Sequence, residues 1–174
     1  LIERLSGSTM RMIILVLCSG LLSTAVVASD RWKFDGRIAV TEKSVSSIFQ
    51  HLEGANRNHI AVSSQGVAVV WEDDRSGDPQ VYFSQKPYQQ DRFSPALLIS
   101  SGSEAYDPAI VGLPDKEFVI VWEQDDAVYA RLFSNHKLSK PLQLSSSTAG
   151  HAAIAVKNKQ VVAAWRERVG NDWF

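Results

Sequence analysis

Three apolar runs in this chain close on tryptophan: Val67-Ala68-Val69-Val70-Trp71, Phe118-Val119-Ile120-Val121-Trp122 and Gln160-Val161-Val162-Ala163-Ala164-Trp165. The tryptophans stand 51 and 43 residues apart, far longer than a heptad and in the range where each period is one supersecondary unit that stacks on its neighbours. The segments between them keep one order. Ile60-Ala61-Val62 and the turn Ser64-Gln65-Gly66 lead into the first run, and Gln80-Val81-Tyr82-Phe83-Ser84 and Pro95 to Ser100 follow it. Ala109-Ile110-Val111 and Leu113-Pro114-Asp115-Lys116 lead into the second, with Ala127-Val128-Tyr129-Ala130 and Pro141 to Ser145 behind it. Ala153 to Val156 opens a third copy, whose third strand is expected to start at Asn171-Asp172-Trp173-Phe174. β-Branched and aromatic residues fill the runs, while Gly, Asp, Ser and Pro fill the joints, which is strand-and-turn chemistry. No segment carries a competing helical period.

A unit of about 45 residues with four short strands is the signature of a propeller blade. The runs before each tryptophan are apolar at nearly every position, as a strand covered on both faces must be. The expected fold class is all-β, a partial β-propeller of about two and a half four-stranded antiparallel blades. The blades are expected at residues 59–101, 107–146 and, incomplete, 151–174. Residues 29–58 form an N-terminal segment in which Arg37-Ile38-Ala39-Val40-Thr41 is expected as an outer strand. Closed propellers use about four to eight blades, so remaining blades or further copies of the chain are expected as partners that close the ring.

Residues 1–28 read as upstream residues and a signal peptide. Arg11 precedes the apolar run Met12-Ile13-Ile14-Leu15-Val16-Leu17-Cys18, which continues to Ala25-Val26-Val27-Ala28. Ser19, Gly20, Ser23 and Thr24 interrupt it, and its small-residue end suits cleavage after Ala28 better than a membrane span. The expected location is secreted or periplasmic, with no membrane attachment after cleavage. The sole cysteine, Cys18, lies in this segment, so the cleaved chain has no disulfide. Leu17 is too bulky for the site that lipoprotein processing needs before a cysteine. A formal net charge of −1 provides no basic field for phosphates, which excludes nucleic acid as an expected partner.

Val70-Trp71-Glu72-Asp73-Asp74-Arg75-Ser76-Gly77, Val81-Tyr82-Phe83-Ser84 and Phe93-Ser94-Pro95 resemble the sialidase-like, BNR-repeat propellers of secreted bacterial proteins, over residues 36–174. Val121-Trp122-Glu123 with Val128-Tyr129-Ala130-Arg131-Leu132 is similar to periplasmic propeller repeats without known catalysis. The resemblance implies an extracytoplasmic module that binds a glycan or a protein without catalysis. An alternative is a piece of an exo-sialidase or other glycoside hydrolase, and another is a structural surface-assembly module. Two departures bear on activity. The turn Gln85 to Phe93 lacks the Asp box that such repeats often carry between their third and fourth strands. The arginine triad, Tyr–Glu pair and Asp of a sialidase would come from several blades, so no catalytic residue is assigned in this chain.

Glu72, Asp73, Asp74, Arg75 and Asp78 form the densest polar cluster, and an arginine there can hold a carboxylate ligand bidentately. The same residues are good turn formers. The candidate ligand-binding residues are Asp73, Asp74, Arg75 and Asp78, with Glu123 from the next repeat. Asp73 and Glu123 both follow a tryptophan, and glycoside hydrolysis needs two carboxylates roughly 5 to 10 Å apart. No metal or cofactor is expected: Arg75 stands where a calcium loop needs Asp or Asn, and His51, His59, His136 and His151 are scattered. Trp71, Trp122 and Trp165 are expected as packing residues because they repeat in register. Tyr88 and Trp173 fall outside that register and are freer to touch a ligand.

Overall fold

The computed structural model describes residues 36–41, 50–51, 57–115, 117–146 and 148–174. The expected signal peptide and much of the segment 29–58 lie outside the described residues. Everything below belongs to the unit Arg37–Phe174.

All regular structure among the described residues is strand, in three antiparallel sheets. The first contains β1 (Gln50–His51), β2 (Ile60–Val62), β3 (Gly66–Asp73), β4 (Gln80–Pro87) and β5 (Leu97–Leu98). The second contains β6 (Ala105–Gly112), β7 (Phe118–Gln124), β8 (Ala127–Ser134), β9 (Lys137–Leu138) and β10 (Leu142–Gln143). The third contains β11 (Ala149–Lys157), β12 (Gln160–Val169) and β13 (Asp172–Trp173). β1 and β2 share one edge of β3, and β9 and β10 share one edge of β8. The first two sheets therefore each have four strand positions, and the third has three.

The register repeats with the sequence. Trp71 faces Tyr82 and Trp122 faces Tyr129 across the ladder, and each pair stacks, at 6.1 and 5.8 Å between ring centroids. Ile60, Ile110 and Ile154 each pair with the residue two before their tryptophan. In β6 the ladder breaks between Tyr106 and Ala109, and in β11 between Gly150 and Ala153. Asp107 and His151 occupy these bulges with φ of 51° and 56°, a left-handed turn that frees their backbone N–H groups from the ladder. In the first sheet the equivalent break lies between His51 and Ile60, with Arg57 in the position that Asp107 and His151 hold.

The sheets pack face to face by one rule. Val70, Val81 and Phe83 of the first sheet meet Ile120, Trp122 and Phe133 of the second. Ala109, Val121 and Val128 of the second meet Ala152, Ile154 and Trp165 of the third. The tryptophan face of each sheet thus covers the opposite face of the sheet before it. The first tryptophan face is covered by Val40, Phe93 and Ala96.

Several sequence expectations change in detail. β3, β7 and β12 run past their tryptophans to Asp73, Gln124 and Val169, because the residue two beyond each indole must stay extended to bond it. The second and third repeats start at Ala105 and Ala149, ahead of their bulges, rather than at 107 and 151. The outer strands shrink to the pairs Leu97–Leu98 and Leu142–Gln143. β9 is an addition, made by a hairpin at Asn135 and His136 with φ of 49° and 62°, the primed turn that matches strand twist. Arg37 to Thr41 forms no ladder with the described strands and instead lays Val40 on the first tryptophan face. The both-faces-covered expectation is met by β3 and β7, whereas β12 alternates between half-buried and exposed.

Candidate functional site

Side chains two apart on a strand share a face, and each tryptophan uses this. The indole N–H of Trp71 donates to Asp73 Oδ2 at 3.1 Å, that of Trp122 to Gln124 Oε1 at 3.1 Å, and that of Trp165 to Glu167 Oε2 at 3.4 Å. A buried indole thus gains its acceptor from its own strand. Asp73, with its side chain fully buried, also accepts from the Arg75 backbone N–H at 2.9 Å and from Arg75 Nε at 2.8 Å. Burial raises the Asp73 pKa, but bonds from Arg75 and Trp71 outweigh it and hold the carboxyl below its ordinary value. Arg75 lies 4.8 Å above the Tyr82 ring and donates to Thr41 Oγ1 at 3.0 Å.

The residue immediately after each tryptophan points the other way, toward the next sheet. Glu72 accepts the N–H of Asp107 at 2.5 Å, and Glu123 accepts the N–H of His151 at 2.6 Å. Each bulge is therefore capped by a carboxylate from the preceding sheet. Beside these caps, the Ala105 N–H donates to the Pro79 carbonyl at 2.9 Å and the Ala149 N–H to the Asp126 carbonyl at 2.8 Å. These four bonds bring the loops after β3 and β7 to one end of the stack.

Arg57 sits at that end. Its Nη1 donates to the carbonyls of Asp107 at 2.9 Å and Ala152 at 3.4 Å. Its Nη2 donates to Asp107 Oδ2 at 2.8 Å and Glu123 Oε1 at 3.0 Å. Only 6% of the Arg57 side chain is exposed, against 34% for Asp107 and 21% for Glu123. One guanidinium ties the bulges of all three sheets, and its charge balances carboxylates brought close to one another. Gly150 leaves the room this needs, since a Cβ there would lie 2.6 Å from Glu123 Oε2.

Of the candidate ligand residues, Asp73 and Arg75 meet each other in a clasp that closes the loop. Asp74 starts a turn in which its carbonyl accepts the Gly77 N–H at 2.9 Å, and Asp78 is exposed on the same loop. Glu123 joins the Arg57 cluster instead, so Asp73 and Glu123 answer to different arginines. The exposed groups at this end are mostly acidic: Asp78, Glu104, Asp125 and Asp126 stand with Tyr106, which is 38% exposed. The Tyr106 hydroxyl donates to Glu104, and that bond pushes its pKa up to about 12. The opposite end carries Lys137, Lys157 and Lys159 on or beside its hairpins. A cavity of about 750 Å³ opens beside the first sheet, lined by residues that include the candidate Arg75 together with Arg37, Ile38, Val40, Arg92 and Phe93. Tyr88 donates to the Ser63 carbonyl at 3.3 Å, and Trp173 stacks under Arg166 at 5.5 Å.

Sequence reasoning missed Arg57, Asp107, Glu72 as a cap, and His151. The signal was present in the alignment of Tyr106-Asp107-Pro108-Ala109 with Gly150-His151-Ala152-Ala153, which marks the bulge. Arg57 was hidden because its own repeat carries an insertion there. Comparison with protein-family models, curated proteins and solved structures finds no match for this chain.

Proposed function

We propose that this chain is a sialidase-like β-propeller segment that acts outside the cytoplasm as a non-catalytic module, binding a glycan or a protein at its acidic loop end. The apolar leader supports export, and the repeated rule of tryptophan face on opposite face supports blades. The observation that carries the non-catalytic reading is the closure of the Arg57 cluster. A hydrolase of sialic acids needs arginines turned toward a ligand carboxylate, whereas Arg57 turns its donors to Asp107, Glu123 and two main-chain carbonyls. Glu72 and Glu123 are likewise engaged by bulge N–H groups, which suits a framework rather than acid–base work. The exposed loops then form the recognition surface. Carboxylates accept hydroxyl or ammonium donors, and Tyr106 offers a ring face for stacking on a sugar or an apolar side chain.

The test pairs a glycan array and a protein pull-down with turnover of a fluorogenic sialoside. The reading expects binding that falls at least about tenfold in Tyr106→Ala, a loss of roughly 1.4 kcal/mol, and no turnover. Turnover by the parent chain would reject it in favour of the glycoside hydrolase alternative.

A further inference from the structure

The cavity of about 750 Å³ beside the first sheet collects positive charge in a chain whose formal net charge is −1. Arg37, Arg75 and Arg92 line it, and Asp91 is the only carboxylate among the described lining residues. Its volume falls in the range of about 300 to 1,000 Å³ that small-molecule sites occupy. The walls are tied down. The Ser94 N–H donates to the Gln85 carbonyl at 2.8 Å, and the Ser94 carbonyl accepts the Ser84 hydroxyl at 2.6 Å. Arg75 Nη2 donates to Thr41 Oγ1 at 3.0 Å and so holds the segment 37–41. Val40, Phe93 and Ala96 pack on Val69, Trp71 and Tyr82 as an apolar floor, which Ile38, 43% exposed, extends along the lining. The Arg75 guanidinium is engaged by Asp73, Thr41 and the Tyr82 ring. Arg37 and Arg92 are exposed, and no hydrogen bond or ion pair holds their guanidinium groups among the described residues.

We propose that this cavity binds a small organic carboxylate with an apolar body, its carboxylate held by Arg37 and Arg92 and its body laid along Ile38, Val40 and Phe93. A guanidinium meets a carboxylate with paired, charge-assisted N–H bonds. An exposed ion pair alone contributes little, so the apolar lining must supply the remaining affinity. That selects an amphiphilic ligand over a bare inorganic anion. An amine is disfavoured, since an ammonium would meet three arginines and find only Asp91 among the described lining residues. Arg75 acts here as a positioning residue: Asp73 takes its Nε, and its Nη2 steadies Thr41. The cavity shares no lining residue with Asp78, Glu104, Tyr106, Asp125 and Asp126 of the acidic loop end. It is a second site of opposite charge and does not depend on the reading of that end.

Isothermal titration calorimetry of the protein with phenylbutyrate, phenylbutanol and phenylbutylamine, each to about 10 mM, tests this. Phenylbutyrate should bind saturably, one molecule per chain, and the alcohol and the amine at least about tenfold more weakly. Arg37 and Arg92 are exposed, so Arg37→Gln and Arg92→Gln should keep the circular dichroism of the parent. Each should weaken phenylbutyrate at least about threefold, and the double variant at least about tenfold. A second measurement needs no variant: raising salt from about 50 to 500 mM should weaken phenylbutyrate and leave phenylbutanol unchanged. Tyr106→Ala should bind phenylbutyrate as the parent does, which separates this site from the loop end. Absence of saturable binding overturns the proposal, as do equal binding of the alcohol, binding indifferent to salt, and binding unmoved in the double variant. A loss of phenylbutyrate binding in Tyr106→Ala would also overturn it, by placing the ligand at the loop end.

Discussion

Arg57 reaches residues 50, 66 and 95 positions along the chain, so its loss should be felt in all three sheets. Arg57→Ala leaves Asp107 and Glu123 without their shared cation, and the cost should be about 3 kcal/mol, read as a lowered urea midpoint at unchanged slope. Asp73 makes a different prediction. Its pKa is lowered in the folded chain, so its contribution is full above the ordinary carboxylate range and is lost as pH falls through the lowered value. Asp73→Asn should therefore be less stable than the parent at neutral pH, and the difference should narrow below about pH 4. Unfolding curves taken at successive pH values check the sign, and a gap that widens in acid would contradict it. Tyr106 supplies a spectroscopic test: its phenol should titrate at about 12, and Glu104→Gln should return it toward the ordinary value near 10. Ultraviolet difference titration of the two proteins reads this directly.

The strands were largely legible because their chemistry is local. Val, Ile, Phe and Trp in short runs bounded by Gly, Pro and Asp place β3, β4, β7, β8, β11 and β12 within a few residues. What was not legible depends on contacts between repeats. The bulge at Asp107 is set by a carboxylate in the preceding sheet, and the extension of β3 to Asp73 is set by an indole bond that no strand propensity records. The cluster at Arg57 joins residues far apart in sequence, so composition of the loop after Trp71 drew attention to Arg75 instead. Burial also separates equivalent elements. Trp122 is 1% exposed between two sheets, whereas Trp165 packs on the second sheet and is half-buried. Trp122→Ala should cost about 3 to 5 kcal/mol and Trp165→Ala clearly less, measured by chemical unfolding. Gly112 makes the close approach between the first strands possible. A Cβ there would lie 2.2 Å from the Val62 carbonyl oxygen, so Gly112→Ala must shift backbone, at a cost of about 1 to 3 kcal/mol.

Three sheets that each cover the one before form a quasi-repeating array in which stability is shared through interfaces. Two layers of order hold the array together: apolar faces supply most of the burial, and the end with Glu72, Glu123 and Arg57 fixes the register of one sheet on the next. Function in the proposed reading belongs to loops that this frame displays, since fold alone assigns no chemistry. The central claim is the repeated packing of sheet upon sheet, with each tryptophan face on the opposite face of the sheet before it and the first-strand bulges capped across the contact. A crystal structure of the protein measures it most directly. The account predicts that one rotation relates the first sheet to the second and the second to the third, with Arg57 bonded to Asp107 and Glu123 at the first-strand bulges. Two sheets paired as a sandwich, with Arg57 turned away from both carboxylates, would contradict it.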